Sequence, residues 1–342
     1  MVAKIANETD NRVARLAGDE FTVLLDGVER VEEVAEIAER LNQAFSQPVV
    51  INEKPLYVTV SIGITMFPND GHNVQTLLQH ADVAMYHAKE SGRSNYQFFS
   101  ESMNNYLKHR LEIESELRTA LQQDQFELYY QPQFETKTQS IVGFEALLRW
   151  RHPVKGLLSP DQFIDIAEST GLILPIGEWV LMEACQQARD WQRKTGCVYR
   201  MTVNLSAMQF NQRYLPDRVR KALEYSELPV ETLELEITET AILNDMAETI
   251  ALLFALKKTG VLLAFDDFGT GYSSMSYLKN FPIDTLKIDK AFVDEIVFNR
   301  KDAAIAQTIA QLAENLEIKT IAEGVETQEQ ADLLSKMGCH EF

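Results

Sequence analysis

Charged residues recur on one face of several predicted β-strands in the C-terminal part of the chain. Side chains alternate between the two faces of a strand, so Glu234 and Glu236 share a face in the segment LELEI. In the segment TLKIDK, Lys287 and Asp289 share a face, and the opposite face is apolar. Unpaired charge is costly to bury. The pattern recurs in six predicted strands, which favours the interpretation that their polar faces line a common site.

The polar residues of this pattern lie at or near the carboxyl ends of the predicted strands. Taken singly, each has a structural explanation, such as a turn, a cap or an ion pair, but their joint occurrence in order along the chain favours a site. Oxygen ligands without Cys or His indicate Mg²⁺ or Mn²⁺ rather than zinc. The residues are Glu145, Asn204, Glu236, Asp266, Asp267, Lys287, Asp289 and Glu323.

Short apolar strands alternate with helices beyond Gln125. This alternation predicts a parallel sheet, and the number of units favours an α/β fold of the TIM-like (β/α)8 barrel type. The first two strands, FELYYQP and IVGFEALLRW, leave no room for a helix between them, so we predict an antiparallel first strand. Barrel enzymes assemble their sites at the carboxyl ends of the strands, where the polar residues are predicted to lie.

The region 1–100 has a different pattern. Two predicted strands flank the turn signal at Gly18, and amphipathic helices are predicted at 31–45 and 74–90, which is typical of an α+β domain. Residues 101–124 form a long helix that links this region to the barrel at 125–342. The linker helix is either a plain connector or a signalling or dimerising helix.

Composition limits the classes of partner and compartment. Acidic residues outnumber basic ones 51 to 32, and the formal net charge is −19. This balance argues against binding of long nucleic acid, but it allows a small anionic nucleotide if a metal ion supplies positive charge. Three scattered cysteines and the lack of an apolar leader or membrane segment predict a cytoplasmic chain. A parent protein could still be anchored in a membrane through other regions.

Seven ordered motifs then resemble the EAL phosphodiesterase family. The signature tripeptide stands at Glu145-Ala146-Leu147 within FEALLRW. Three common residues recur by chance, but the ordered set over more than 200 residues is specific. The other motifs are YYQPQ (129–133), VNLS (203–206), ELEITET (234–240), FDDFGTGYSS (265–274), LKIDK (286–290) and AEGVET (322–327).

The resemblance implies metal-dependent hydrolysis of cyclic-di-GMP to the linear dinucleotide pGpG, with two Mg²⁺ or Mn²⁺ ions per site, and a homodimer formed through the barrel. It also implies roles for matching residues. Glu323 would be the general base, Lys287 would orient the attacking water, and Glu239 would anchor the loop 267–274. The implied metal ligands are Glu145, Asn204, Glu236, Asp266 and Asp267, and the implied substrate contacts are Gln131, Arg149 and Asp289.

The N-terminal region resembles the C-terminal half of a GGDEF diguanylate cyclase domain. The motif stands as RLAGDEF, followed by VSIGIT and ADVAMYHAKESGRSNY. The first motif glycine is replaced by Ala17, and neither the upstream half of the family pattern nor the inhibitory RxxD motif is present. We therefore expect no cyclase activity, with Gly18, Asp19 and Glu20 as relics of the nucleotide site.

Two further expectations concern the barrel. The sequence stops at GCHEF, before a glutamine-glycine-tyrosine motif and closing helix of the family, so we expect a truncated barrel with exposed strand edges. Besides the phosphodiesterase, a non-catalytic cyclic-di-GMP receptor is an alternative, although no metal ligand or base of the family is lost. An unrelated Mg²⁺ barrel enzyme is a third, disfavoured by the ordered motifs.

Overall fold

The structure, a computed structural model, describes residues 12–28, 30–51, 54–242, 246–269 and 278–342. The chain divides into two compact units, Met1–Glu112 and Ile113–Phe342. Among the described helices, none is both long and apolar enough to cross a membrane.

Strands of the first unit are β1 (Arg12–Ala17), β2 (Glu20–Leu24), β3 (Val49–Ile51), β4 (Lys54–Leu56), β5 (Ile62–Ile64) and β6 (Tyr96–Phe98). Strands of the second unit are β7 (Phe126–Phe134), β8 (Ile141–His152), β9 (Gly156–Leu158), β10 (Arg200–Leu205), β11 (Leu233–Thr238), β12 (Leu262–Phe268), β13 (Thr285–Ile288) and β14 (Lys319–Ala322).

The first helices are α1 (Val31–Phe45), α2 (Val74–Glu90) and α3 (Glu101–Gln122), and the boundary between the two units falls within α3. The remaining helices are α4 (Ile164–Thr170), α5 (Ile173–Thr195), α6 (Ala207–Phe210), α7 (Leu215–Ser226), α8 (Glu239–Ile242), α9 (Met246–Lys257), α10 (Lys290–Val293), α11 (Arg300–Asn315) and α12 (Gln328–Lys336).

The first unit mixes hairpins and helices, in agreement with the predicted α+β pattern. β1 and β2 form an antiparallel hairpin whose turn places Gly18 at φ +48°, a conformation that glycine adopts without a side-chain clash. β5 and β6 are parallel neighbours. Val34 and Ala38 of α1 pack with Ile64 of β5 in a small core.

The second unit is built on one sheet with the order β14-β13-β12-β11-β10-β8-β7. β7 pairs with β8 in the antiparallel sense, as predicted. The later neighbours on this path are parallel, because a helix follows most strands and returns the chain to the opposite end of the sheet. The predicted α/β barrel with an antiparallel first strand is confirmed.

Outer helices cover the apolar face of the sheet. α5 is amphipathic over 23 residues, and Ile176, Val180 and Ala184 lie on its buried side. Leu233 and Leu235 of β11, both with 0% exposure, belong to the same core. Full burial of such an aliphatic side chain stabilises the fold by about 1.5–3 kcal/mol. This packing holds the strands so that their other face points into the lumen.

The residues 340–342 bridge the two ends of the sheet. The backbone N–H groups of Phe342 and Phe134 each donate to the other residue's carbonyl, at 3.0 and 2.8 Å. On the other side, Ala322 N–H donates to Glu341 O at 2.9 Å. Where we expected exposed strand edges, the end of β7 at Phe134 and the end of β14 at Ala322 are thus paired with this short segment. We call 340–342 the closing segment.

Candidate functional site

The ammonium group of Lys287 is the centre of the site. It projects from β13 and is only 2% exposed. Its Nζ donates a hydrogen bond to Glu236 and forms an ion pair with Glu323. Glu145 Oε2 and Asp266 Oδ1 each lie 3.6 Å from the same Nζ. The ammonium group is therefore surrounded by four carboxylates, which come from β8, β11, β12 and the residue directly after β14.

The strand register brings these carboxylates to one level. Asn204 of β10 is the register partner of Glu236 on β11, and Thr238 is the partner of Asp266 on β12. Directly opposite residues on paired strands point to the same side of a sheet. Asn204 Nδ2 donates to Glu145 Oε1 at 2.7 Å, which joins β8 to β10 at the mouth of the lumen.

The buried carboxyls are perturbed. Burial raises the pKa of Glu236 well above its ordinary value, although the Lys287 ammonium opposes the shift. Burial likewise raises the pKa of Glu323, again against the effect of Lys287. For Lys287 itself, burial acts to lower the pKa, but the carboxylates, with Glu236 first, outweigh burial and hold the pKa well above its usual range. The lysine therefore stays protonated. Four carboxyl groups surround this one ammonium group, so a further cation would stabilise the cluster.

The donor set fits a hard divalent cation. Glu145, Glu236 and Glu323 each offer an oxygen, and these oxygens lie within 4.8 Å of one another. Glu236 Oε2 and Asp266 Oδ1 are buried, and neither receives a hydrogen bond from any residue that the structure describes. Oxygen-only ligands of this kind suit Mg²⁺ or Mn²⁺. The cluster can thus hold a divalent cation. Such a cation would coordinate Glu236 Oε2 and Asp266 Oδ1, which lack a hydrogen-bond donor among the described residues.

The three predicted substrate contacts lie on β7, on β8 and directly after β13. Gln131 is exposed on β7 and is the register partner of Glu145. The Arg149 guanidinium lies 5.6 Å from the centre of the Tyr129 ring. Asp289, directly after β13, accepts a hydrogen bond from Ala291 N at 2.7 Å and caps α10.

The loop anchor Glu239 is buried, with 4% exposure, at the start of α8. Neither of its carboxylate oxygens has a hydrogen-bond partner within the described ranges. The predicted loop partners from 270 to 274 lie outside the described residues. Asp267 lies in β12, and its side chain is likewise outside the description.

The predicted relics Gly18, Asp19 and Glu20 lie in the first unit. Gly18 and Asp19 form the turn between β1 and β2, and Glu20 begins β2. Both acidic side chains are exposed. Arg15 Nε donates to the carbonyl of Gly18 at 2.8 Å, which closes the turn.

Sequence reasoning missed a second polar layer inside the barrel, centred on Glu234 and Arg200. Glu234 has 0% exposure and pairs with Arg200 Nε at 3.1 Å. Arg200 also hydrogen-bonds to Glu341 of the closing segment. The alternation in β11 already showed that Glu234 shares a face with Glu236. Its partners lie far away along the chain, and no local pattern marks them.

A second group that sequence reasoning missed anchors the start of the barrel unit. His152 Nδ1 accepts hydrogen bonds from Val154 N and Lys155 N, both at 3.1 Å. Its Nε2 lies 3.0 Å from Glu116 Oε2. Because Nδ1 is used as an acceptor, the hydrogen is on Nε2, and this N–H donates a hydrogen bond to Glu116 Oε2. The part of α3 within the barrel unit is thus tied to the end of β8.

The fold and the site together define a class of protein. It is a (β/α) barrel with an antiparallel first strand, and a lysine-centred cluster of carboxylates lies at the carboxyl ends of its strands. This is the end at which barrel enzymes carry their sites.

The family model described as EAL domain matches residues 114–342, and the chain belongs to this family. A second family model, described as diguanylate cyclase, GGDEF domain, matches residues 2–95. The two resemblances predicted from the motifs are therefore confirmed.

Two curated relatives come from Pseudomonas aeruginosa. The bifunctional diguanylate cyclase/cyclic di-GMP phosphodiesterase MucR is 44% identical over 328 residues, which are 96% of this chain and 48% of the relative. The cyclic di-GMP phosphodiesterase NbdA is 42% identical over 327 residues, again 96% of this chain and 42% of the relative. The chain thus spans less than half of the length of these two relatives.

Solved structures agree with the fold. The MucR phosphodiesterase in its c-di-GMP complex is 44% identical, with a TM-score of 0.65 over 67% of this chain and 93% of the other. The EAL enzyme Bd1971, in a form with cAMP and cyclic-di-GMP bound, is 31% identical, with a TM-score of 0.66 over 80% of this chain and 72% of the other.

Proposed function

We propose that the chain hydrolyses cyclic-di-GMP to pGpG with the help of divalent cations. The observation that carries this proposal is the convergence of four carboxylates on Lys287, with two buried oxygens that receive no hydrogen bond from the part of the chain that the structure describes. The relatives named as cyclic-di-GMP phosphodiesterases, and the solved structure with c-di-GMP bound, support this choice of substrate.

Glu145, Asn204, Glu236, Asp266 and Asp267 would hold the cations, which we propose to be two Mg²⁺ or Mn²⁺ ions. Such ions lower the pKa of water and neutralise phosphoryl oxygens. The acidic cluster would otherwise repel a substrate with two phosphodiester groups, so the cations are also needed for its entry.

Glu323 is proposed as the general base. Its carboxyl faces Lys287 in the centre of the cluster, and burial raises its pKa, which makes it a better proton acceptor once ionised. It takes a proton from the attacking water, whose oxygen bonds to phosphorus. The bond from phosphorus to the ribose 3′ oxygen breaks, and that oxygen receives a proton, which leaves the 5′ phosphate of pGpG.

Lys287 is proposed to orient the water and to stabilise the charge that develops on the phosphoryl group. Its high pKa keeps it cationic throughout. Gln131, Arg149 and Asp289 are proposed to contact the substrate, and Glu239 to anchor the loop 267–274. We further propose a homodimer through the barrel, and no cyclase activity for the region 2–95, whose signature carries Ala17.

The test is to incubate the purified protein with cyclic-di-GMP and Mg²⁺ or Mn²⁺ and to follow pGpG by chromatography. We expect turnover that is lost with EDTA, in Glu145→Ala and in Glu323→Gln. Glu326→Gln is the matched control, since Glu326 lies three positions away and pairs only with the exposed Lys290 among the contacts described. Tight binding of cyclic-di-GMP without turnover would overturn the enzyme and support the non-catalytic receptor.

A further inference from the structure

A second polar layer lies directly beneath the proposed metal site. Thr202, Glu234 and Thr285 each stand two positions before a residue of the site, namely Asn204, Glu236 and Lys287 on the same strands. Side chains two apart on a strand share a face and are separated by about 6.5–7 Å along it. The three residues therefore form a lower tier in the lumen, one step below the site residue on each strand.

Glu234 is the hub of this tier. Its side chain is fully buried, and it accepts hydrogen bonds from Thr202 Oγ1 at 3.1 Å and from Thr285 Oγ1 at 2.6 Å. These bonds tie β10, β11 and β13 together from within. These are the strands that carry Asn204, Glu236 and Lys287.

Arg200 supplies the positive charge for this hub. Its Nε lies 3.1 Å from Glu234 Oε2, and its guanidinium also donates to Gln133 Oε1 at 2.9 Å and to Glu341. Burial acts to lower the pKa of Arg200, but Glu234 and then Glu341 outweigh it. Glu234 thus has a direct cationic partner within the tier, in contrast to the cluster above it, where four carboxylates surround one lysine.

We propose that Glu234 is a positioning residue for the metal site: by joining β10, β11 and β13 one step below Asn204, Glu236 and Lys287, it fixes the spacing of the groups that hold the cations. The proposal rests on the proposed function only in that the upper cluster binds divalent cations. Glu234 itself touches neither substrate nor cation, because its oxygens are engaged with Thr202, Thr285 and Arg200.

The proposal makes a graded prediction for Mn²⁺ affinity. Glu234→Gln keeps the shape but replaces one acceptor oxygen by a donor, which then faces the donors of Arg200 and the threonines. Residues that support metal ligands from behind typically contribute about 10–100-fold to metal affinity, so we expect Mn²⁺ to bind about 10-fold more weakly or worse. Thr285→Val, which removes a single hydrogen bond, should give a smaller loss in the same direction.

The experiment measures Mn²⁺ binding to the full chain by electron paramagnetic resonance, together with turnover of cyclic-di-GMP at low and saturating Mn²⁺. We expect saturating Mn²⁺ to restore most of the turnover lost in Glu234→Gln, because the ligands themselves are intact. Val219→Ala, in the outer helix α7, is the control for simple destabilisation and should lower the melting temperature without changing Mn²⁺ affinity. If Glu234→Gln does not fold, Thr285→Val and Thr202→Val carry the test.

Wild-type Mn²⁺ affinity in Glu234→Gln, or in both threonine variants, would overturn the positioning role while the proposed function stands. Equal losses of affinity in Val219→Ala and Glu234→Gln would also overturn it, because general destabilisation would then explain the effect. A wild-type chain that binds no Mn²⁺ would overturn the proposed function first, and the positioning role with it.

Discussion

Replacement of Lys287 by methionine should make the stability of the barrel depend on divalent cations. In the absence of divalent metal ions, the ammonium group of Lys287 compensates the charge of Glu236, whose exposure is 1%. Removal of one partner of a buried ion pair costs about 3–5 kcal/mol. At about 2–4 °C per kcal/mol for a domain of this size, the melting temperature in EDTA should fall by about 6–20 °C.

Added Mn²⁺ should return most of this loss, because the cations take over the role of the missing ammonium group. The rise in melting temperature on adding Mn²⁺ should therefore be larger in Lys287→Met than in the wild type. Lys290→Met is the matched control, since Lys290 lies three positions away and is 53% exposed at its side chain. It should melt at the wild-type temperature in both conditions.

The loss should also depend on pH, in a direction set by Glu236. Its pKa is raised by burial in the wild type, and removal of the lysine raises it further. A carboxyl with a higher pKa in the folded state binds protons preferentially there, so stability falls as pH rises above the pKa of the unfolded state. Differential scanning fluorimetry in EDTA should thus show a larger deficit at pH 8 than at pH 5. A Lys287→Met protein with wild-type melting temperature in EDTA, or one that Mn²⁺ leaves unchanged, refutes the assignment of these carboxylates as cation ligands.

Because burial raises the pKa of Glu236 and Glu323, Mn²⁺ binding should release protons and weaken as pH falls, which calorimetry in buffers of different ionisation enthalpy will detect. Among the three thiols, only the exposed Cys197 should react quickly with a thiol reagent at pH 8, since burial raises the pKa of the other two; mass spectrometry of labelled peptides checks this, and rapid labelling of all three would contradict the packing. Glu116→Ala removes the acceptor of a buried histidine and should cost about 1–2 kcal/mol in urea unfolding, whereas Glu114→Ala, in a half-exposed pair with Arg118 one helical turn away, should stay within about 0.5 kcal/mol of the wild type.

The succession of strands and helices was enough to predict the barrel, and local alternation along each strand predicted most of its inward-facing polar residues. Glu145, Glu236 and Lys287 stand where a period of two places them, and the structure brings them together. The spacing within one strand carries no information about its neighbour, however. The approach of four carboxylates to one ammonium group depends on the register between strands, such as Asn204 opposite Glu236, and that emerges only in the folded sheet.

The contacts of Arg200 in the lower tier could not be predicted from the sequence at all. Arg200 and Glu341 are 141 positions apart, so no window along the chain contains both. Asp289 illustrates the opposite case, because its local context is a strand end that also begins a helix. Its carboxyl caps α10. This local hydrogen bond could have been predicted from the sequence, but Asp289 was considered only as a substrate contact.

The closing segment has a consequence for the order of folding. Its hydrogen bonds to Phe134 and Ala322 join parts of the chain far apart in sequence, and such contacts form only after the entropy of a long loop has been overcome. We expect the ring to close late, after the parallel strands have paired, with β7 and β14 open until then. Open strand edges recruit other chains, so the rate of closure, rather than the stability of the finished barrel, should set how much protein aggregates during refolding.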